Sequence, residues 1–400
     1  MKIKFGTRCI IALILGAVFG RYVEYGVIEH ITPISVIYLK LLRSVIVPLL
    51  FSVIISSFGK YKDFSLMKTI SSISIFWFLI TAITAGAIGI VIGKHFCVGL
   101  NVTFDVSSID KMHLSSSIPL SQTLLNMVPN NIIGQISDGQ IIPVVIFAIF
   151  MGLALASLGE QGATVRLFFD EITQIMFKIV KGIIKVSPIA IFILIADVSN
   201  KYGMNVIHPF GTFVFVMYLA CILQIIVYMF LLLFVGKINP ILFIKNFFPA
   251  MITAFTTSSS IGTLPVTIDR LVNHVKVRDD IASFVAPLGA NMKMDGCGAI
   301  YPAVVSIFTA NLLGMHLSFN QEILIFILSS FATFFTVGIP GAAIMSATFV
   351  LVSMNFPLQG LAIVIGIDKI IDMIRTVTNV TGAATCSVLV EKTLIYTRRL

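Results

Sequence analysis

Residues 366–384, GIDKIIDMIRTVTNVTGAA, place polar side chains in a very apolar part of the chain. Four of them lie at successive spacings of four, three and four residues: Asp368, Asp372, Arg375 and Asn379. At about 100° per helical residue, these spacings confine the four to a stripe about 60° wide on one helix, with Thr376 beside it. Charges in hydrocarbon are costly, so such a stripe faces protein or a water-filled cavity and commonly marks function.

A simpler interpretation is that Asp372 and Arg375, three residues apart, form an ion pair that only neutralises itself. That interpretation leaves Asp368 and Asn379 on the same stripe without an explanation. We therefore favour a functional stripe and keep the structural ion pair as the alternative.

The composition is that of a helical membrane protein. Hydrophobic residues make up 58% of the 400 residues and charged residues 11%, against about 25% charged in soluble domains. Apolar runs longer than 18 residues exclude a transmembrane β-barrel. The net charge of +9 does not indicate nucleic acid as a partner, because the basic residues cluster at segment ends. The five cysteines form no CxxC pair, which argues against disulfides and zinc.

Residues 1–240 are predicted to form six transmembrane helices. Their apolar runs cover about 7–27, 36–58, 70–93, 141–158, 166–198 and 209–236. Residues 1–20 also fit a signal peptide, but the later spans favour a first transmembrane helix. Lys and Arg near both chain ends predict that the two termini are cytoplasmic. Residues 95–130 are predicted to form a polar extracytoplasmic loop.

Residues 241–400 are predicted to form a core region of two hairpins, a broken helix and the final helix. Each hairpin has two apolar arms too short to span a membrane, joined at SSSIGTLP (258–265) or VGIPG (337–341). Between them, PLGANMKMDGCGAIYP (287–302) interrupts an apolar helix. Such interrupted pairs indicate a transporter site near the membrane midplane. The alternatives are an ordinary loop at 258–265, and a buried Lys293–Asp295 ion pair that only relieves strain.

Several motifs of this C-terminal half resemble those of the dicarboxylate/amino acid:cation symporters, the glutamate transporter family. The motifs, in chain order, are SSSIGTLPVT (258–267), PLGAN-MKMDG (287–296), VGIPG (337–341) and DKIIDMIRTVTNV (368–380). The resemblance implies an all-α polytopic membrane protein with eight transmembrane helices, two re-entrant helical hairpins and inverted repeats. It also implies a lipid-embedded homotrimer, here expected in the bacterial inner (plasma) membrane. Spans 1, 2, 4 and 5 would form the scaffold, and spans 3, 6, 7, 8 and the hairpins a transport domain that moves like an elevator.

The resemblance also implies roles for individual residues. Arg375 would hold the substrate's side-chain carboxylate and Asp372 its ammonium group. The rest of the substrate-binding site would be formed by the following residues: Thr376, Asn379, Ser259, Ser260, Met294, Cys297, Gly338 and Ile339. Sodium would be held near these residues: Asp295 with Thr81, Asn291 with Thr336, and Asp368 with Asn379.

Two departures from the family pattern affect one sodium site. The family's NMDG is KMDG here, with Lys293 replacing a cation-ligating Asn, and Ala383 stands where the family usually has an acidic residue. We hypothesise that the Lys293 ammonium is a tethered cation near Asp295 and Asp368, leaving fewer sodium sites than usual. An ammonium and a carboxylate 4 Å apart attract by about 4 kcal/mol at an effective dielectric constant near 20. The alternative is that Lys293 titrates and couples H⁺.

Other departures concern the substrate. Ser258 and Met373 occupy positions where members often place a second arginine, Cys297 stands where a substrate-contacting Thr is common, and the segment to Tyr301 is one residue longer. Because Asp372 is present, we expect glutamate or aspartate, with C4-dicarboxylates and neutral amino acids as alternatives. The chain is predicted to be a symporter driven by Na⁺ or H⁺, and not an enzyme. A channel and a sensor with a degenerate transport cycle are the other classes.

Overall fold

The computed structural model describes residues 5–59, 65–100, 129–138, 140–202, 207–336 and 341–397. The regular structure of these residues is helical. The N-terminal α-helices are α1 (Phe5–Tyr22), α2 (Tyr25–Gly59), α3 (Ser65–His95), α4 (Ile132–Ser137), α5 (Ile141–Ser157), α6 (Ala163–Tyr202) and α7 (Ile207–Phe234). The C-terminal ones are α8 (Pro240–Thr257), α9 (Ser260–Asp269), α10 (Asp279–Met292), α11 (Tyr301–Leu312), α12 (Phe319–Ala332), α13 (Ala342–Ser353), α14 (Gln359–Ile365) and α15 (Asp368–Thr397).

Helices α1, α2, α5 and α6 pack against one another, whereas α3 and α7 pack against the C-terminal helices. The α1–α6 contact is close enough to require glycine. A Cβ on Gly16 would lie 2.5 Å from the Phe192 carbonyl oxygen, and one on Gly20 would lie 2.1 Å from that of Ala196. Small residues four apart permit such backbone contact between apolar helices. The division into a scaffold and a transport domain stays a prediction.

Helices α8 and α9, in the place of the first predicted hairpin, pack against each other, and their re-entrant course stays a prediction. Asn239 caps α8 and is followed by Pro240 at its first turn, while Ser258 ends α8 in the left-handed region at φ 49°. Ser259 then caps α9 by accepting a hydrogen bond from the Gly262 N–H. The Ser-rich stretch is therefore a tight turn between two capped helices.

The second hairpin consists of α12 and α13, which also pack together. A short 3₁₀ segment, Thr333–Phe335, extends α12, and Gly341 precedes α13 with φ 89°. Residues 337–340 of the predicted tip, including Gly338 and Ile339, lie outside the described residues.

The predicted discontinuous helix is confirmed. Helix α10 ends at Met292, and Lys293 and Met294 follow with non-helical backbone at φ −134°, ψ 76° and φ −111°, ψ 60°. A π-helical segment, Asp295–Ile300, follows and leads directly into α11. A π-helical turn holds more residues than an α-helical one. The one additional residue expected before Tyr301 coincides with this wider turn.

The predicted final helix, 358–390, is wrong as a single element. It is divided into α14 and α15 at Gly366 and Ile367, where hydrogen bonds connect residues three apart: Ile367 N–H to the Val364 oxygen and Ile370 N–H to the Ile367 oxygen. The predicted boundary between the first two spans also needs correction. Helix α1 ends at Tyr22, before the predicted residue 27, and α2 already begins at Tyr25, because its helical hydrogen bonding extends beyond the apolar part of the segment.

Two uninterrupted stretches of the described residues are long and apolar enough to cross a membrane by length and composition, Thr69–His95 and Phe210–Phe234. Shorter apolar helices accompany them, such as Pro143–Ser157 and Ala342–Ser353. The number of eight spans therefore stays a prediction.

Candidate functional site

The π-helical segment Asp295–Ile300 lies at the centre of the candidate site. All six of its residues are buried, between α3, α12 and α15. The Gly296 N–H donates to Asn379 Oδ1 on α15 at 2.8 Å, and a Cβ on Gly296 would lie 2.7 Å from the Arg375 carbonyl oxygen. The π-helical segment therefore packs directly against the polar stripe of α15.

Arg375 is fully buried at the middle of that stripe. Its Nη2 donates to Asp368 Oδ1 at 2.7 Å and to Asp372 Oδ1 at 3.1 Å, and its Cζ lies 4.2 Å from the centre of the Tyr301 ring. Its Nε and Nη1 atoms are buried and have no hydrogen-bond partner among the described residues. A buried donor without a partner is costly, so this guanidinium retains capacity for an acceptor.

The other two polar residues at the predicted stripe, Thr376 and Asn379, form hydrogen bonds within the chain. Thr376 Oγ1 donates to the Asp372 carbonyl oxygen at 2.7 Å, and Asn379 Nδ2 donates to Cys297 Sγ at 3.1 Å. The predicted stripe therefore brings Arg375 into contact with both aspartates and ties Asn379 to the broken helix. The alternative of an isolated Asp372–Arg375 ion pair does not account for the contacts of Asp368 and Asn379.

The first hairpin reaches the same place. Ser260 is buried at the start of α9, and its Oγ donates to Met294 Sδ at 3.8 Å. Ser259, by contrast, is used as the helix cap described above. Of the predicted substrate residues, Ser260, Met294, Cys297 and Asn379 are thus joined in pairs by described contacts.

A second cluster surrounds Lys293, which is fully buried with Asp295. Lys293 Nζ donates to Asp295 Oδ2 at 2.6 Å and to the Tyr228 hydroxyl at 3.0 Å, and it lies 4.5 Å from the centre of the Tyr228 ring. The Tyr228 hydroxyl donates to the same Oδ2 at 2.7 Å, and Gln224 Nε2 does so at 3.4 Å.

Sequence reasoning missed Tyr228 and Gln224. Both stand on α7, four residues apart, and therefore on one face of an otherwise apolar helix. That spacing is the signal that identifies them. Gln224 also donates to the Thr81 carbonyl oxygen at 3.0 Å, so it links Thr81 to Asp295.

The remaining predicted cation ligands, Asn291 and Thr336, each form a hydrogen bond within their own helical segment. Asn291 is exposed and donates to the Pro287 carbonyl oxygen at 2.9 Å, while Thr336 is buried and donates to that of Ala332 at 2.6 Å. The expectation that Lys293 lies near Asp368 needs correction. Asp368 accepts a hydrogen bond from Arg375, whereas Lys293 Nζ lies beside Gly382, about 21 Å further along α15 than Asp368.

The Lys293 cluster depends on the absence of a side chain at Gly382. A Cβ there would lie 2.1 Å from Lys293 Nζ and 2.6 Å from the Tyr228 hydroxyl. We expect Gly382→Ala to lower the free energy of unfolding by about 1–3 kcal/mol, as overpacked interiors do. Gly211→Ala on α7 is the control, since nothing lies within 4 Å of its Cβ, and it should be neutral or stabilising.

In a Lys293→Ala background, Gly382→Ala should cost less, because the nearest clashing atom is gone. Unfolding in detergent of the unmodified protein, the three single variants and the Lys293→Ala/Gly382→Ala double variant would check both statements. An equal cost of Gly382→Ala with and without Lys293 would contradict the proposed fit.

Comparison with known proteins identifies the family. The sequence profile of the sodium:dicarboxylate symporter family matches residues 5–393. A "Proton/sodium-glutamate symport protein" of Geobacillus stearothermophilus is 28% identical over 403 residues, covering 98% of this chain and 94% of that protein. The "Proton/glutamate-aspartate symporter" of Escherichia coli K12 is 27% identical, covering 98% and 93%. An "L-cystine uptake protein" of Bacillus anthracis is 30% identical, covering 98% and 90%.

The match extends over nearly the whole chain and includes both clusters described above. Members of the matched family are transporters, not enzymes. The chain belongs to the sodium:dicarboxylate symporter family.

Proposed function

We propose that this chain imports acidic amino acids, glutamate or aspartate, by symport with Na⁺ or H⁺ across the plasma membrane. The observation that carries the proposal is the buried guanidinium of Arg375, whose Nε and Nη1 have no partner among the described residues. A buried guanidinium N–H forms a strong, charge-assisted hydrogen bond with a carboxylate, and Nε and Nη1 provide two such donors on different edges of the group.

The neighbouring groups fit the rest of such a substrate. Asp372, about one-fifth exposed, presents a carboxylate beside Arg375 for the substrate's ammonium group. The hydroxyl of Thr376, the amide of Asn379 and the first turn of α9 at Ser260 would hold the main-chain carboxylate, since a helix N-terminus favours negative charge. An elevator motion of α3, α7 and the C-terminal helices within a homotrimer is part of the same proposal.

Cystine is the second candidate, favoured by Asp368. A cystine molecule carries a carboxylate and an ammonium group at each end. Arg375 with Asp368, joined at 2.7 Å, offers one opposite charge to each group at the distal end. Glutamate and aspartate have no distal ammonium group, so they would leave Asp368 without that role.

Uptake by the protein in proteoliposomes separates these candidates. Labelled glutamate, aspartate and cystine would each be offered with an inward sodium gradient and, separately, an inward proton gradient. Accumulation of an acidic amino acid supports the proposal and identifies the coupling ion. Accumulation of cystine alone would mean that cystine, and not an acidic amino acid, is the substrate. Current without accumulation of any substrate would indicate a channel.

A further inference from the structure

Three hydrogen-bond donors converge on one carboxylate oxygen of the buried Lys293 cluster. Asp295 Oδ2 receives Lys293 Nζ at 2.6 Å, the Tyr228 hydroxyl at 2.7 Å and Gln224 Nε2 at 3.4 Å. The family name implies a bound sodium ion as coupling cargo, and the sequence resemblance assigns Asp295 to one of its sites. A cation needs oxygen lone pairs, but the lone pairs of this oxygen already face donors.

The residues around Asp295 do not fit a sodium ion. Its other oxygen, Oδ1, is buried and has no hydrogen-bond partner among the described residues; it retains capacity for one donor or cation, but a single carboxylate oxygen does not make up the several oxygen ligands that a hard cation takes. The Lys293 ammonium, 2.6 Å from Oδ2, would repel a second cation bound to the same carboxylate. Ala383 contributes a methyl group in place of a carboxylate, and its Cβ would lie 2.8 Å from a Cβ on Gly289, so this contact is tightly packed.

The ammonium occupies a place shaped for it. The backbone leaves helical geometry at Lys293, with φ −134° and ψ 76°, and the Lys293 side chain contacts Asp295 only two residues away. Gly382 provides the space for Nζ, and the Tyr228 ring covers it at 4.5 Å, where an aromatic face attracts a cation. One positive and one negative charge make the cluster neutral without any ion from solution.

We propose that Lys293 is a covalently attached substitute for one coupling sodium ion. The site around Asp295 binds no cation from solution. Each transport cycle therefore carries no sodium ion at this position, one fewer than if the site held sodium. The inference rests on the proposed cation-coupled symport but not on which amino acid is carried.

The test counts bound sodium in the absence of substrate. Binding of ²²Na⁺ per protomer would be measured at equilibrium for the purified full-length protein and for two double variants. Lys293→Met with Asp295→Asn removes both charges and keeps the cluster neutral, so it should bind the same number of sodium ions as the unmodified protein. Lys293→Asn with Ala383→Asp removes the ammonium and adds a carboxylate, so it should bind one sodium ion more.

Two results would overturn the inference. Loss of one bound sodium ion in Lys293→Met/Asp295→Asn would mean that the position holds sodium despite the ammonium. An unchanged number in a folded Lys293→Asn/Ala383→Asp would mean that the ammonium does not exclude sodium there. If the second variant does not fold, the first still decides. Because no substrate is present, a wrong amino-acid assignment leaves these counts unaffected.

Discussion

Replacing Arg375 with glutamine should reduce the uptake of acidic amino acids, measured as kcat/KM, by at least about 100-fold. The guanidinium is fully buried, and its Nη2 pairs with Asp368 and Asp372 at 2.7 and 3.1 Å. Glutamine removes the charge that the substrate carboxylate would meet. It also leaves two carboxylates close together without a cation, which repels an anionic substrate.

Arg278→Gln is the matched control for this variant. Arg278 also pairs with an aspartate, Asp280, at 2.6 Å, but both side chains are about half exposed. Exposed pairs contribute about 0–1 kcal/mol, so uptake and stability should change little. Initial rates in proteoliposomes with matched protein content would compare the two. Uptake by Arg375→Gln close to that of Arg278→Gln would exclude the role proposed for Arg375.

The chemistry of the stripe on α15 could be predicted from the sequence, because helical spacing fixes which side chains share a face. The spacing of Asp368, Asp372 and Arg375 is sufficient to bring them together, and the structure joins them directly. The turn between α8 and α9 could equally be predicted from the sequence, since short apolar arms around a Ser-Gly-Pro stretch indicate two helices rather than one. The break before Asp295 followed from glycine and proline in an apolar run.

Contacts between distant segments could not be predicted in this way. Tyr228 and Gln224 lie 67 and 71 residues before Asp295, and no local spacing indicates which helix faces them. The space at Gly382 is a property of the packing around Lys293, visible only once α7, α10 and α15 are placed. The division of the final helix was missed because Gly366 has ordinary right-handed helical dihedrals, so the break lies in the hydrogen-bond pattern.

Breaking the Lys293–Asp295 pair from either side should lower the free energy of unfolding by about 3–5 kcal/mol. Lys293→Met leaves a buried carboxylate without its cation, and Asp295→Asn leaves a buried ammonium without its anion. The double variant leaves neither charge, so it should cost less than the sum of the single changes. The resulting coupling energy in a double-mutant cycle is expected to be about 2–3 kcal/mol.

The Lys94–Glu322 pair provides the comparison, because its nitrogen–oxygen distance is also 2.6 Å while the Lys94 side chain is 50% and the Glu322 side chain 17% exposed. Lys94→Met and Glu322→Gln should couple by about 0–1 kcal/mol, since water replaces the lost partner. Reversible unfolding in detergent would measure both cycles under the same conditions. Equal coupling energies would mean that water reaches Lys293, and the ammonium would then be an ordinary surface charge. A larger coupling energy for Lys293–Asp295 than for Lys94–Glu322 would reflect the difference in burial, because the nitrogen–oxygen distances of the two pairs are the same.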